Sequence, residues 1–181
     1  GGPHLHFEIR GTKTETPLNV LLFGLPIKDM VKPIVKSIMV YPLNDTSHVN
    51  GKFSKQRFNS IGSNGNYRLA SGNIAAYGEI GFAVEAIDQA NGVSNRIGIY
   101  QVRLSADDQL IYAHEIDRIP FNKSRFINAY IDYEEKVKTR RRYQLSYILP
   151  NNQLPIYQTK KSEGRLIFSG TTSKSMRYEL T

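Results

Sequence analysis

Apolar and polar positions along this chain alternate mostly with a period of two. The run HLHFEIR at residues 4–10 sets Leu5, Phe7 and Ile9 against His4, His6, Glu8 and Arg10. Side chains of a strand point to opposite faces in turn, so such runs predict strands with one buried face. SIMVYPL (37–43), EIGFAVEAID (79–88), IGIYQVRLS (97–105), QLIYAHEI (109–116), GRLIFS (164–169) and SMRYEL (175–180) add further β-branched and aromatic runs. Runs 97–105 and 109–116 flank the short polar connection ADD (106–108), which predicts a hairpin. Turn chemistry lies between the strands: NDTSHVNG, GSNGN and DQANGVSN concentrate Gly, Asn, Asp and Ser. Helical spacing is confined to one short candidate, SRFINAYIDYEEKVK at 124–138. Short strands separated by turn clusters predict an all-β fold of the sandwich type. The segment GLPIKDMVKP at 24–33 carries two prolines and a glycine, and it is the expected boundary: residues 1–27 end one unit, and residues 28–181 form another.

Composition adds to this picture in three ways. An apolar content of 40% over 181 residues supports a packed core and argues against a disordered chain. The absence of cysteine removes disulfides and thiolate metal sites. A net charge of +8 suits an anionic partner, whether nucleic acid, lipid or wall polymer. The longest apolar run, VLLFGLPI, is broken by Gly24 and Pro26 and falls well short of the about 20 residues that a spanning helix needs. The first and last residues both fall in strand-like runs, and the expectation is a piece of a longer protein, cut at both ends.

His4 and His6 project to the same face of a strand, where two imidazoles can reach one small site. On spacing alone, the pair reads either as part of a metal site or as an exposed strand face. The letters around it narrow the choice. GPHLHFEIR, followed by a polar turn and PLNVLLFG, resembles the end of the lysostaphin-like (LytM-type) zinc endopeptidase domain. The resemblance covers about residues 2–24. It implies that His6 is a zinc ligand and that His4 is the catalytic histidine beside the zinc-bound water. Zinc lowers the pKa of that water and polarises the peptide carbonyl, and a neighbouring imidazole moves the proton.

The family's remaining zinc ligands, a histidine and an aspartate four residues after it, lie upstream of the H-x-H pair. His48 is followed at that spacing by Lys52, and His114 by Arg118, so neither restores the motif. The resemblance therefore implies zinc in the complete protein and none in this chain alone. GEIGFAVEAIDQANGVSNRIGIY, FINAYIDYEEKVKTRRRYQ and PNNQLPIYQ resemble the β-sandwich module that follows the LytM-type domain in some Gram-negative envelope peptidases. The implied fold is an immunoglobulin-like β-sandwich preceded by the last strand of a peptidase domain. The implied location is the cell envelope, and the implied partners are peptidoglycan or envelope proteins rather than nucleic acid.

Other features have simpler explanations. Lys136, Lys138, Arg140, Arg141 and Arg142 are either a polyanion contact or a solvated run partly balanced by Glu134 and Glu135, and the second is the expectation. Tyr100, Tyr112 and Tyr178 stand in strand patterns and are expected in the core or in cross-strand pairs. Asp107, Asp108, Glu115 and Asp117 lack the twelve-residue loop of a calcium hand. The alternative function is a stand-alone binding module that recognises a polyanion or an envelope partner.

Overall fold

A computed structural model of the chain describes residues 2–3, 5–92, 94–158, 162–170 and 173–181. The fold is mostly β. Its longest strand runs through the run EIGFAVEAID, which is apolar on both faces for much of its length. In chain order the strands are β1 (Ile9–Arg10), β2 (Pro17–Leu18), β3 (Ile34–Pro42), β4 (His48–Val49), β5 (Gln56–Ser63), β6 (Asn66–Leu69), β7 (Ala76–Ile87), β8 (Gln101–Ala106), β9 (Gln109–Glu115), β10 (Gln144–Leu145), β11 (Leu166–Phe168) and β12 (Met176–Leu180). The larger sheet has the order β10-β7-β3-β5-β6, with β11 and β4 also paired to β7. The smaller sheet is β12-β8-β9, and β1 and β2 form a separate pair.

The two larger sheets share one core. Ile80, Phe82 and Val84 of β7 and Val40 of β3 face Ile99, Val102, Leu104 and Tyr112, which come from β8, β9 and the segment before them. Two irregularities tune the pattern. A bulge between Val35 and Ser37 lets Val35 and Ile38 both pack toward this core, although they are three residues apart. A second irregularity, on β9, brings the neighbours Ile111 and Tyr112 both into it. The opposite face of the larger sheet is buried too: Met39, Tyr41 and Ala83 pack against Tyr143, Leu145 and Tyr147. A third cluster of Tyr130, Leu154 and Ile156 closes one end.

The predicted hairpin forms with Asp107 and Asp108 as its two turn residues, both at positive φ (48° and 61°). That is the turn conformation whose twist suits a two-residue hairpin. Three local expectations change. Of the described part of the run, residues 5–10, only Ile9 and Arg10 pair as strand, and residues 5–8 are irregular, because no further strand among the described residues stands beside them to take their backbone hydrogen bonds. His4 lies outside the described residues. The single helix expected over 124–138 is two short pieces, a 3-10 helix at Phe121–Ala129 and an α-helix, α1, at Tyr133–Thr139. Ile131 bridges to Gln144, and Asp132 caps α1 through its carboxylate and the Glu135 N–H, so a new helix starts there. The run 97–105 becomes strand only from Gln101, since Ile97 is drawn instead to a bridge with Asp88.

Strand β7 depends on a missing side chain at Gly81. A Cβ built there would sit 2.7 Å from the Tyr147 ring, which lies over the strand. Gly81→Ala should therefore force the buried Tyr147 ring to move and cost about 1–3 kcal/mol. Denaturant unfolding measures this, and a loss near zero would mean that the ring has room to shift.

Candidate functional site

The pair β1 and β2 and the 3-10 turn at Val20–Phe23 lie against the segment after β9. Leu18 bridges to Arg118, and the Asn19 N–H donates to the Asp117 carbonyl at 2.7 Å. The Asn19 side chain accepts from the Leu21 N–H and so caps the turn. The Arg10 guanidinium stands 5.0 Å from the centre of the Phe121 ring. His6 precedes this docked part and is exposed, as are Leu5 (92%) and Phe7 (59%).

The other two described histidines have separate sets of neighbours. His48 stacks on Tyr77 and meets Phe53 edge-on, and its Nδ1 is buried without a hydrogen-bond partner. His114 is fully buried, with Nδ1 2.9 Å from the Tyr112 hydroxyl and Nε2 3.0 Å from the Tyr130 hydroxyl. Burial pulls its pKa down to about 4, so the ring is neutral at physiological pH. Its Nε2 ties β9 to Tyr130 of the end cluster, while Nδ1 meets Tyr112 of β9 itself.

Among the described residues, no group of three or more His, Cys, Asp or Glu side chains is placed to hold a metal ion. Nor is any helix among the described residues long and apolar enough to cross a membrane.

The basic stretch is divided by the fold. Helix α1 ends at Arg140, whose φ of 62° turns the chain back toward the sheet. Lys138 pairs with Glu134, and Arg141 lies 4.0 Å from Glu135. Lys136, Arg140 and Arg142 have no acidic ion-pair partner among the described residues. The acidic side of α1 is anchored by Lys55, whose ammonium reaches Asp132 at 2.8 Å and Glu134 at 3.2 Å. Burial acts to raise the Asp132 pKa, but Lys55, the Glu135 amide and the Tyr41 hydroxyl outweigh it and hold the carboxyl below its usual range.

Two cavities open on the surface of the described residues. One, of about 580 Å³, opens between the outer strands β6 and β12 and is lined by Tyr67, Arg68 and Tyr178. The other, of about 610 Å³, lies where the N-terminal segment meets the body, between Leu18, Leu21 and Leu22 on one side and Ile97, Ile99 and Ile119 on the other. A backbone bond ties two of its lining residues together: the Ile97 N–H donates to the Asp88 carbonyl at 2.9 Å. Asp88, only 7% exposed, lines this cavity. Its Oδ1 accepts from the Gln89 N–H at 2.9 Å, and no donor among the described residues meets Oδ2. Burial raises the Asp88 pKa, and the nearby Asp29 carboxylate adds to the rise, against the opposing Gln89 bond. Sequence reasoning missed this site because its walls come from separate stretches of chain. The one local signal was an aspartate ending the apolar run EIGFAVEAID.

Comparison with known proteins adds no relative: no family model, curated protein or solved structure matches the chain.

The state of His114 makes a pH prediction. Its pKa is about 4 when folded against a usual value near 6.5, so the unfolded chain binds the proton more tightly. The stability it lends is complete above pH 6.5 and is lost as pH falls toward 4, by roughly 3 kcal/mol in all. Denaturant midpoints taken across that range should fall accordingly. His114→Gln should flatten this part of the profile, and an unchanged slope in the variant would assign the effect elsewhere.

Proposed function

We propose that this chain is the C-terminal part of a bacterial envelope zinc endopeptidase that hydrolyses peptidoglycan cross-link peptides, and is mainly that protein's non-catalytic, immunoglobulin-like module. The observation that carries the reading is the GPHLHFEIR run, with its H-x-H pair and the PLNVLLFG segment that follows. In this reading His6 is a zinc ligand and His4 a catalytic histidine, and the other ligands belong to the upstream part of the protein. The exposure of Leu5, Phe7, Leu21, Leu22 and Phe23 supports it, because apolar residues gathered in one segment suit contact with further chain. Two sheets around a shared core are also what such a module requires.

A second reading is a polyanion-binding module. The unpaired cations Lys136, Arg140 and Arg142 favour it, gathered at one end of α1. Binding of that kind weakens steeply with added salt.

The isolated chain should bind zinc no more tightly than micromolar, because an open pair of imidazoles lacks the ligands and supporting hydrogen bonds of a catalytic site. It should release no peptides from peptidoglycan. The longer protein, expressed with its upstream coding sequence, should cleave in a zinc-dependent manner and lose cleavage in His6→Ala. Zinc-dependent cleavage by the isolated chain, or full activity of the His6→Ala protein, would overturn the reading.

A further inference from the structure

The cavity between β6 and β12 has no part in the reading above, and no residue of 1–27 lines it. It lies between two sheet edges. β6 ends the larger sheet and β12 ends the smaller one, and among the described residues neither pairs with a further strand. The register fixes which backbone groups are left over. Thr181 and Gln101 exchange N–H···O bonds at 2.8 and 3.1 Å, and the Asp107 N–H donates to the Ser175 carbonyl at 2.8 Å. Bonded and non-bonded pairs alternate in an antiparallel ladder, so Arg177 and Glu179 bond to β8. The N–H and C=O groups of Met176, Tyr178 and Leu180 then point away from β8, toward the groove. By the same alternation, counted from the bond between the Ala70 N–H and the Asn59 carbonyl, Tyr67 and Leu69 turn their backbone groups away from β5.

The floor and the charges narrow what can fill the gap. Val35, Ile38 and Leu69 line it and are half-buried against the shared core, as are Met176, Tyr178 and Leu180. Lys32 and Arg68 also line it, and neither has an acidic ion-pair partner among the described residues. Glu179, by contrast, is already met by Arg103 at 3.4 Å and Arg177 at 3.3 Å. The uncompensated charge of the groove is therefore positive. A small anion would use the two cations but neither the apolar floor nor the strand edge. An extended acidic chain uses all three. β6 bounds the groove on its far side, so the space suits one strand rather than the sheet of a second copy. Its volume of about 580 Å³ is in the range that holds a short ligand.

We propose that this groove binds a single extended peptide with acidic side chains, added as a strand to the free edge of β12. Its backbone bonds to Met176, Tyr178 and Leu180, which supplies affinity without regard to sequence. Its alternate apolar side chains cover Val35, Ile38 and Leu69, and its carboxylates meet Lys32 and Arg68. The site is independent of the zinc chemistry and does not need the upstream protein.

Titration of the isotope-labelled 181-residue chain with the hexapeptide acetyl-Glu-Val-Glu-Val-Glu-Val-amide, followed by amide chemical shifts, tests this. Saturable shifts are expected at Met176, Tyr178, Leu180, Tyr67 and Leu69, with slowed hydrogen exchange of the first three amides. The lysine counterpart, with Lys in place of each Glu, should bind much more weakly. The acidic peptide methylated on its internal backbone nitrogens cannot donate to the edge, and it should bind about tenfold more weakly or worse. Lys32→Gln combined with Arg68→Gln, both at exposed positions, should weaken binding of the acidic peptide by about threefold or more. No saturation, equal binding of the lysine or the methylated peptide, or full affinity in the double variant would each overturn the assignment. So would concentration-dependent shifts of Met176, Tyr178 and Leu180 in the chain alone, which would give the edge to a second copy.

Discussion

Strand β7 is the element on which everything else is hung, because it must be covered on both faces and paired along both edges. Down one edge it takes β3 and then β4; down the other it takes β10 and then β11. Its twelve residues therefore have no free backbone row along most of their length. Alternate residues Ile80, Phe82 and Val84 build the shared core, while Gly81 and Ala83 stay small so that Tyr147 and Tyr143 can lie over them. Gly78 meets the same demand at the strand's start. Its φ of 81° and its lack of a Cβ let the turn before β4 close in, so that the Glu79 N–H donates to Ser47 Oγ at 2.7 Å.

Covering the second face of a sheet with tyrosines raises the problem of their hydroxyls, and the solution is two linked polar chains. Arg57 donates to the Tyr143 hydroxyl at 2.9 Å, Tyr143 to Ser37, and Ser37 to Glu85 at 2.7 Å. Ser37 has one proton, and Glu85 takes it, which fixes the direction of the chain. Nearby, Tyr41 donates to Asp132 at 2.8 Å, and Asp132 is the residue that starts α1 and receives Lys55. The helix thus begins at the point where the tyrosine layer needs an acceptor. Most of its basic residues lie in its last turn and just beyond, at the end opposite Asp132. The chain's basic stretch is to this extent a structural consequence, whatever further partner it meets.

What was legible in the sequence follows the same physics. Runs 37–43, 79–88 and 109–116 announced themselves because they line buried faces, and the Asp107-Asp108 hairpin because its turn chemistry is local. The β5–β6 hairpin was seen only as the turn GSNGN. Its strands, QRFNSIGS and NYRL, send only Phe58 and Leu69 to the core and are otherwise half-buried or exposed, so they carry little hydrophobic pattern. The helix at 124–138 was drawn too long because apolar spacing does not register a capping aspartate in mid-run. The run 4–10 alternates like a strand, but a strand also needs a neighbour, which no local pattern supplies. The cavity at Asp88 was invisible for the same reason: its carboxylates, leucines and isoleucines meet only through the tertiary fold.

That cavity also ties the two ends of the functional reading together. One wall is the segment Pro17–Leu22, held by Asn19 and Leu18 to residues 116–118; the opposite wall is the body itself. No described residue of 1–27 enters any of the three core clusters, and among the described residues this segment is attached by a handful of backbone bonds and by the apolar surface it shares with the cavity. Weakly attached segments open locally at far lower free energy than a core strand such as β7. The same segment carries the H-x-H pair eleven residues or more before Pro17. His6 therefore sits on a part of the chain that opens more readily than the sheets that follow it.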